Sequence, residues 1–300
     1  MSVIAIVAAL VIEQWHPLGE RMHAGLSAWA GYLERSFNGG RRRHGAVAWL
    51  VGVLPAVAAS ILLHWLLWLA SPVLALLFNV AVLYLTLGFR QFSHYFTDIQ
   101  LAVKSGDIER ARALLEGWRG ASGVVRAREE VIRLTIEEAL LAAHRHVFGV
   151  LLWYLLLPGP SGAVLYRLAA YLGARWREMG AFGQFARRAL HLLEWPAVRL
   201  TAASFAVVGD FEDAVYCWRT QARTWLDPDA GIVLAAGAGA MGVRLGMPVQ
   251  EVDGMQPRAE IGVGEPADGP LLDSAVGLLW RALVLWVFVL ALLSAARLAG

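Results

Sequence analysis

Long apolar runs, separated by polar and arginine-bearing stretches, are the strongest structural signal in this chain. In residues 45–70, His64 is the only side chain that could carry a charge near neutral pH, and residues 73–89 contain none. A later run, residues 276–296, is broken only by Arg281. A helix of roughly 20 apolar residues crosses the hydrocarbon core of a bilayer. The pattern therefore predicts a transmembrane hairpin over residues 45–89 and a C-terminal transmembrane helix over residues 275–300.

Weaker apolar segments fill residues 147–209. One is interrupted by a Pro-Gly-Pro turn and then contains Arg167, and another is short and contains Arg199. An arginine inside an apolar segment is costly in lipid unless it reaches water or a partner. Irregular backbone at membrane depth must likewise be covered by protein. We expect these segments to be broken or interfacial helices.

The polar stretches have the pattern of helical connectors. Residues 106–115 and 129–141 are typical of amphipathic helices, whereas residues 250–270 are rich in Gly, Pro and acids and predict a loop. No segment shows the strict alternation of a strand, so the fold class is all-α. The remaining regions are an N-terminal apolar segment and amphipathic region over 1–44, a cytoplasmic helical region over 90–146 and a polar connector over 210–274, all within one membrane domain.

Composition identifies the class of protein. Hydrophobic residues make up 58% of the chain and charged residues 17%, against about 45–50% and about 25% in soluble domains. Thirteen tryptophans suit the two interfaces of a bilayer. Basic residues at Arg41–Arg43 and throughout 90–146 predict that both regions face the cytoplasm, with the Ser71-Pro72 turn outside. We expect a multi-pass protein of the bacterial inner membrane, in contact with lipid.

Two sequence patterns suggest a cofactor or a metal, and both have a structural alternative. Gly237, Gly239 and Gly242 match a dinucleotide-binding fingerprint, which needs a preceding strand; a run of small residues favours close helix packing instead. His144 and His146 diverge on a helix, whereas a helical ligand pair is spaced four residues apart. We assign no catalytic or metal-binding residue and expect no nucleic acid partner.

One set of charged residues in the polar region 90–146 has helical spacing. Glu130, Arg133 and Glu137 lie about one turn apart, which predicts ordinary pairing on the surface of a helix. A carboxylate site for Mg²⁺ would need further acids from elsewhere in the chain. These residues alone therefore do not define a cofactor.

Several stretches, in order, resemble the CobD/CbiB superfamily. The resemblance covers nearly the whole chain and rests on the order of its pieces rather than on any single one. They are Glu13-Gln-Trp-His-Pro17, Gly106-Asp-Ile-Glu-Arg-Ala-Arg112, Glu137, Pro158-Gly-Pro-Ser-Gly-Ala-Val-Leu-Tyr-Arg167, Glu194-Trp-Pro-Ala-Val-Arg199, Asp227-Pro-Asp-Ala-Gly231 and Ala240-Met-Gly-Val-Arg-Leu-Gly246.

The resemblance implies two different functions. Synthases of the superfamily join aminopropanol phosphate to the propionate of adenosylcobyric acid with ATP and Mg²⁺. They carry acidic stretches of which only Glu137 survives, because Leu141, Ala142, Leu190 and His191 stand at other polar positions. This loss argues against the ligase and for the AmpE branch, whose members are linked to cell-wall recycling and β-lactamase induction. We therefore expect an AmpE-like regulatory or ligand-binding protein, with the cobalamin amide ligase as the alternative and a transporter as a weaker third.

The charged residues within matched stretches are the candidate ligand site. They are Glu137, Arg167, Glu194 and Arg199. A guanidinium fork suits a phosphate or carboxylate, so the expected ligand is a small anion. Pairing of these arginines with the two glutamates is the structural alternative. The sequence names no cofactor outside the ligase alternative and no oligomeric state.

Overall fold

The computed structural model describes residues 2–15, 21–120, 127–251 and 254–299. His16 and Pro17 of the N-terminal motif lie outside these ranges. The all-α prediction is confirmed, because helices account for most of the described chain. The helices are α1 (Ser2–Trp15), α2 (Arg21–Phe37), α3 (Arg42–Ala70), α4 (Pro72–Thr86), α5 (Phe89–Lys104), α6 (Ile108–Arg119), α7 (Arg128–Ala143), α8 (Gly149–Leu156), α9 (Ser161–Arg175), α10 (Gly180–Val208), α11 (Phe211–Gln221), α12 (Pro228–Met241) and α13 (Gly269–Ala299).

Short strands occur in the polar connector, where the sequence indicated none. Strand β1 pairs antiparallel with β4 and parallel with β5, while β2 and β3 form a separate antiparallel pair. Each strand has two or three residues, too few for an alternating pattern to be visible in the sequence. The strands are β1 (Val243–Leu245), β2 (Val249–Glu251), β3 (Gly254–Gln256), β4 (Ile261–Gly262) and β5 (Glu265–Pro266).

Polar side chains mark where several helices begin. Ser71 ends α3 and caps α4, since its hydroxyl accepts a hydrogen bond from the Val73 N–H at 3.3 Å, and Pro72 fits the first helical position. Asp107 caps α6, and Asp227 caps α12 in the same way. The turn at Ser71-Pro72 therefore lies where the apolar pattern predicted it.

Within the described residues, three helices are long and apolar enough to cross a membrane. Helices α3 and α13 expose most of their apolar side chains, as contact with lipid would require, whereas most of the third is buried inside the protein. Helix α4 has 15 residues, so it is about 22 Å long and shorter than a hydrocarbon core of about 30 Å. The three are Arg42–Ala70, Arg128–Leu156 and Gly269–Ala296.

The chain divides into two compact units. The first comprises residues 1–88, 145–196 and 294–300. In it, α3 packs against α9, and α1 packs against α4. Gly45 permits one close approach, because a Cβ at this position would clash with the Phe182 carbonyl.

The second unit comprises residues 89–144 and 197–293. Helix α12 is its centre, with every residue from Ala230 to Ala240 buried and with α11 and α7 packed against it. The glycines of the fingerprint-like motif serve this packing. Gly237 faces Leu140, Gly239 lies against the Asp213 carbonyl, and Gly242 ends the helix in a left-handed conformation with φ 64°. The packing interpretation of the motif is therefore confirmed.

Helix α7 differs from its predicted amphipathic character. All residues from Val131 to Glu137 are buried, although Arg128 and Glu129 at its start are exposed. A five-residue π turn, His144–Phe148, joins α7 to α8 and makes Arg128–Leu156 one nearly continuous helix. The prediction of an amphipathic helix was wrong for the middle of α7, because Arg133 and Glu137 are buried inside the protein.

Candidate functional site: a buried glutamate–arginine cluster

Glu137 is held inside the second unit by partners distant in sequence. The residue is 4% exposed. Oε1 accepts a hydrogen bond from the backbone N–H of Gly246 at 2.8 Å, and Oε2 accepts one from Nη2 of Arg258. Two donors, one of them charged, compensate the burial of this carboxylate.

The loop after β1 supplies the main-chain donor through an unusual backbone conformation. Gly246 has φ 83° and Met247 has φ 67°, both in the left-handed region. A Cβ at position 246 would clash with the Ala259 carbonyl, so glycine is required there. Met247 is the only non-glycine residue with positive φ in the described chain. For a residue with a Cβ this conformation costs roughly 1–2 kcal/mol, and such strain is often concentrated at functional sites.

Arg258 is fixed from a second direction. Its guanidinium carbon lies 4.5 Å from the centroid of the Trp225 ring, within the range of a cation–π contact. The same side chain donates to Glu137. Arg258 is therefore oriented by an aromatic face and a carboxylate together.

Two further arginines carry buried donors. Arg133 lies one turn before Glu137 on α7, is 7% exposed, and its Nη2 is 3.9 Å from Oε1 of Glu130. Arg244 lies 3.4 Å from Glu260. Within the described chain, the Nε atoms of Arg133 and Arg244 are buried and have no hydrogen-bond partner. The predicted pairing of Glu130 with Arg133 is therefore present, but Arg133 and Glu137 are buried instead of lying on the helix surface.

A cavity of about 160 Å³ adjoins these arginines. Glu129 and Glu130 of α7, Arg244 of β1 and Met247 contribute to its wall. Basic and acidic side chains therefore line the same cavity. Its lining residues are Ala127, Glu129, Glu130, Arg133, Arg244, Met247, Pro266 and Ala267.

The donor set fits an anion better than a metal ion. Both oxygens of Glu137 are taken by N–H donors, and the arginines present only N–H groups. Among the described residues, no three His, Cys, Asp or Glu side chains converge as a metal site would require. Mg²⁺ prefers oxygen ligands in octahedral geometry, and the N–H groups around Glu137 do not supply them.

A separate polar group lies in the first unit. Nη1 of Arg167 is 2.7 Å from Nδ1 of His146, and Glu13 is close enough to interact with Arg167 electrostatically. The hydroxyl of Tyr166 donates to Oε1 of Glu194 at 2.9 Å. Glu13 and Arg167, which both belong to stretches that resemble the superfamily, therefore interact electrostatically.

The four sequence-predicted residues are divided between the two compact units. Glu137 and Arg199 belong to the second unit, whereas Arg167 and Glu194 belong to the first. The arginine that binds Glu137 is Arg258, which lies in the predicted surface loop over residues 250–270. A ligand role for Arg167, Glu194 and Arg199 stays a prediction.

Comparison with known proteins relates the chain to one family. A family model described as "CobD/Cbib protein" matches residues 3–279. The cobalamin biosynthesis protein CobD of Stutzerimonas stutzeri (strain A1501) is 34% identical over 301 residues, which cover 97% of this chain and 97% of the relative. The protein of that name from Chromobacterium violaceum is 38% identical over 221 residues, covering 72% and 70%. No solved structure matches the chain.

These relatives correct the functional expectation. Both are named for cobalamin biosynthesis, and neither name refers to β-lactamase induction or cell-wall recycling. The prediction of an AmpE-like regulatory protein was therefore wrong. It rested on acids missing from particular stretches, and that loss does not outweigh similarity over 97% of both chains.

Proposed function

The chain belongs to the CobD/CbiB family, and from that premise we propose that it acts in cobalamin biosynthesis as a multi-pass protein of the bacterial inner membrane. The observation that carries the proposal is the similarity to the Stutzerimonas stutzeri protein over 97% of both chains. Similarity of this extent includes both compact units and their connectors. The three span-length helices support the membrane location.

The proposed reaction is formation of an amide bond. The amine of aminopropanol phosphate joins a propionate carboxylate of adenosylcobyric acid, and cleavage of ATP drives the loss of water. Each of these reactants carries a phosphate or carboxylate group. The arginines around Glu137 suit such anions, because guanidinium groups bind phosphate and carboxylate oxygens with two parallel hydrogen bonds.

Glu137 has a positioning role in this proposal. It holds the Gly246 N–H and Arg258, and it lies one turn from Arg133 on α7. Both of its oxygens are occupied by donors, so it is poorly placed to accept a proton from an attacking amine. We infer that it fixes the arginines and the β1 loop around the reactants.

Complementation tests the function directly. A strain lacking the synthase, grown where cobalamin is required and cobyric acid is supplied, should grow when it expresses this chain. The Glu137→Gln variant should fail or grow slowly because Arg258 loses its charged partner. Glu178→Gln, a change at an exposed residue between α9 and α10, is the matched control and should support normal growth. Absence of growth with wild-type protein present in the membrane would refute the proposal.

A further inference from the structure

The outer face of α11 is exposed although two of its side chains are large and apolar. Phe211 is 63% exposed and Tyr216 is 55% exposed. The opposite face, with Ala214 and Cys217, is buried, and α11 packs against α12. A groove of about 640 Å³ follows the outer face, and every residue that lines it belongs to α11. No other described segment therefore covers this face of the helix.

The outer face combines apolar and charged side chains in two rows of i, i+4 neighbours. Glu212 lies near the start of the helix and Arg219 lies two turns later, and neither has an ion-pair partner among the described residues. Burial of these charges in hydrocarbon would be costly, whereas exposed apolar surface of this kind marks contact sites. A protein surface with both apolar and charged groups suits the face better than lipid or water. The residues of the face are Phe211, Glu212, Val215, Tyr216, Arg219 and Thr220.

The order of these residues makes the outer face of α11 complementary to itself. Two copies of the helix can pack antiparallel about a two-fold axis that passes between Val215 and Tyr216. Residues equally far from the axis then come together, so Glu212 of each copy lies opposite Arg219 of the other. The contact has two ion pairs at its ends and apolar side chains at its centre. The same patch serves on both subunits, as the interface of a two-fold dimer requires.

We propose that the outer face of α11 binds a second copy of this chain through an antiparallel pair of α11 helices. Copies inserted in one membrane share one orientation, so the two-fold axis must run along the membrane normal and α11 must lie near the membrane plane. The helix has 11 residues and is about 16 Å long. Such a contact is small beside the roughly 1,200–2,000 Å² buried in stable soluble complexes. The dimer should therefore form between copies confined to one membrane and dissociate on dilution in detergent.

Disulfide cross-linking of the full chain in membranes tests the contact through a charge swap. In a Cys217→Ser background, Val215→Cys places a thiol beside the axis and should give an oxidised dimer. The control Arg110→Cys, at an exposed residue of α6, should remain monomeric. Adding Glu212→Arg or Arg219→Glu alone places like charges opposite each other and should lower the cross-linked fraction about tenfold or more. The double variant Glu212→Arg/Arg219→Glu reverses both partners and should restore cross-linking.

The remaining outcomes would overturn the proposal. They are equal cross-linking at positions 215 and 110, cross-linking at 215 that the single charge reversals leave unchanged, and a folded double variant that does not recover. Quenching of a fluorophore at position 215 by brominated lipid, without cross-linking, would show that lipid covers the face. Glu212 and Arg219 are exposed, so their variants should melt as the background protein does; if they do not, the comparison of positions 215 and 110 decides.

Discussion

The carboxylate of Glu137 accepts a hydrogen bond from the backbone of Gly246, a residue 109 positions further along the chain. Both residues belong to stretches through which the sequence resembles the CobD/CbiB superfamily. Their hydrogen bond joins helix α7 to the loop after β1 inside one compact unit. Two separate family stretches therefore form a single structural element around Arg258 and the adjoining cavity.

Removing the charge of Glu137 should destabilise this cluster strongly. Breaking a buried ion pair by removing one partner typically costs about 3–5 kcal/mol, because the other charge is left uncompensated. We expect Glu137→Gln to lower the unfolding temperature in detergent, while the double variant Glu137→Gln/Arg258→Gln should lose less than the sum of the single changes. Additive losses, measured beside the Glu178→Gln control, would contradict the pairing.

The glycines of α12 should differ in their tolerance of alanine. A Cβ at position 239 would meet the backbone carbonyl of Asp213, whereas one at position 237 would meet only the end of the Leu140 side chain. Gly239→Ala should therefore destabilise the protein more than Gly237→Ala. At Gly117 of α6 nothing lies within 4 Å of the new Cβ, so Gly117→Ala should stabilise by about 0.5–1 kcal/mol. Equal effects at all three positions in thermal unfolding would refute the packing account.

Glu34 should contribute stability that depends on pH. Burial alone would raise the pKa of its carboxyl, but hydrogen bonds from Arg175 and Trp176 outweigh burial and hold the pKa below its usual 4.5. A carboxyl with a lowered folded-state pKa stabilises the protein fully above the unfolded pKa, and this contribution is lost as pH falls through the folded pKa. Glu34→Gln should therefore reduce stability at pH 7 and flatten its decline below about pH 4.5. If stability fell with decreasing pH in Glu34→Gln as steeply as in the Glu178→Gln control, this prediction would be contradicted.

Cysteine labelling should determine the orientation of the α3–α4 turn. Burial, with a contribution from Asp213, raises the pKa of the Cys217 thiol to about 11, so the native protein should react slowly with maleimide near pH 7. In a Cys217→Ser background, a membrane-impermeant maleimide should label Ser71→Cys from outside the cell and Arg110→Cys only after the membrane is opened. Labelling of position 71 from the cytoplasmic side alone would overturn the proposed topology.

A substitution of Arg167 tests the role of the polar group that it forms with His146 and Glu13 in the first unit. Its guanidinium lies 2.7 Å from His146 and interacts with Glu13, so we expect a structural contribution. Arg167→Gln should lower the melting temperature, and the loss should be coupled to Glu13→Gln in a double-mutant cycle. Wild-type stability combined with lost complementation would instead support its sequence-predicted role in ligand binding.

The apolar runs predicted the helices well, because a long run without charge leaves the backbone few alternatives to a helix in lipid. The same reasoning failed on α7. Periodicity arguments treat a charged residue as a surface residue, whereas Arg133 and Glu137 are buried and paired within the protein. The middle of a helix that is polar in sequence is therefore buried, from Val131 to Glu137.

The rest of the cluster could not be predicted because it depends on distant contacts. Arg258 lies in a stretch whose composition indicated only a loop, and its partner Trp225 is far away in sequence. The left-handed pair Gly246-Met247 has no sequence signal, since methionine rarely adopts positive φ. Glu137 was identified only through resemblance to a family stretch, and that resemblance did not reveal its partners.

The π turn at His144–Phe148 changes how insertions and deletions in this region should be interpreted. Such a turn accommodates one more residue than the α-helix it interrupts, and each α-helical residue advances the helix by about 100°. Because the turn holds the extra residue, a single-residue deletion here would restore regular α-helix and leave the side chains on both sides on their original faces, whereas the same deletion elsewhere in the helix would rotate them by about 100°. In an alignment, a one-residue gap at 144–148 would therefore signify gain or loss of the π turn instead of a change of helix face.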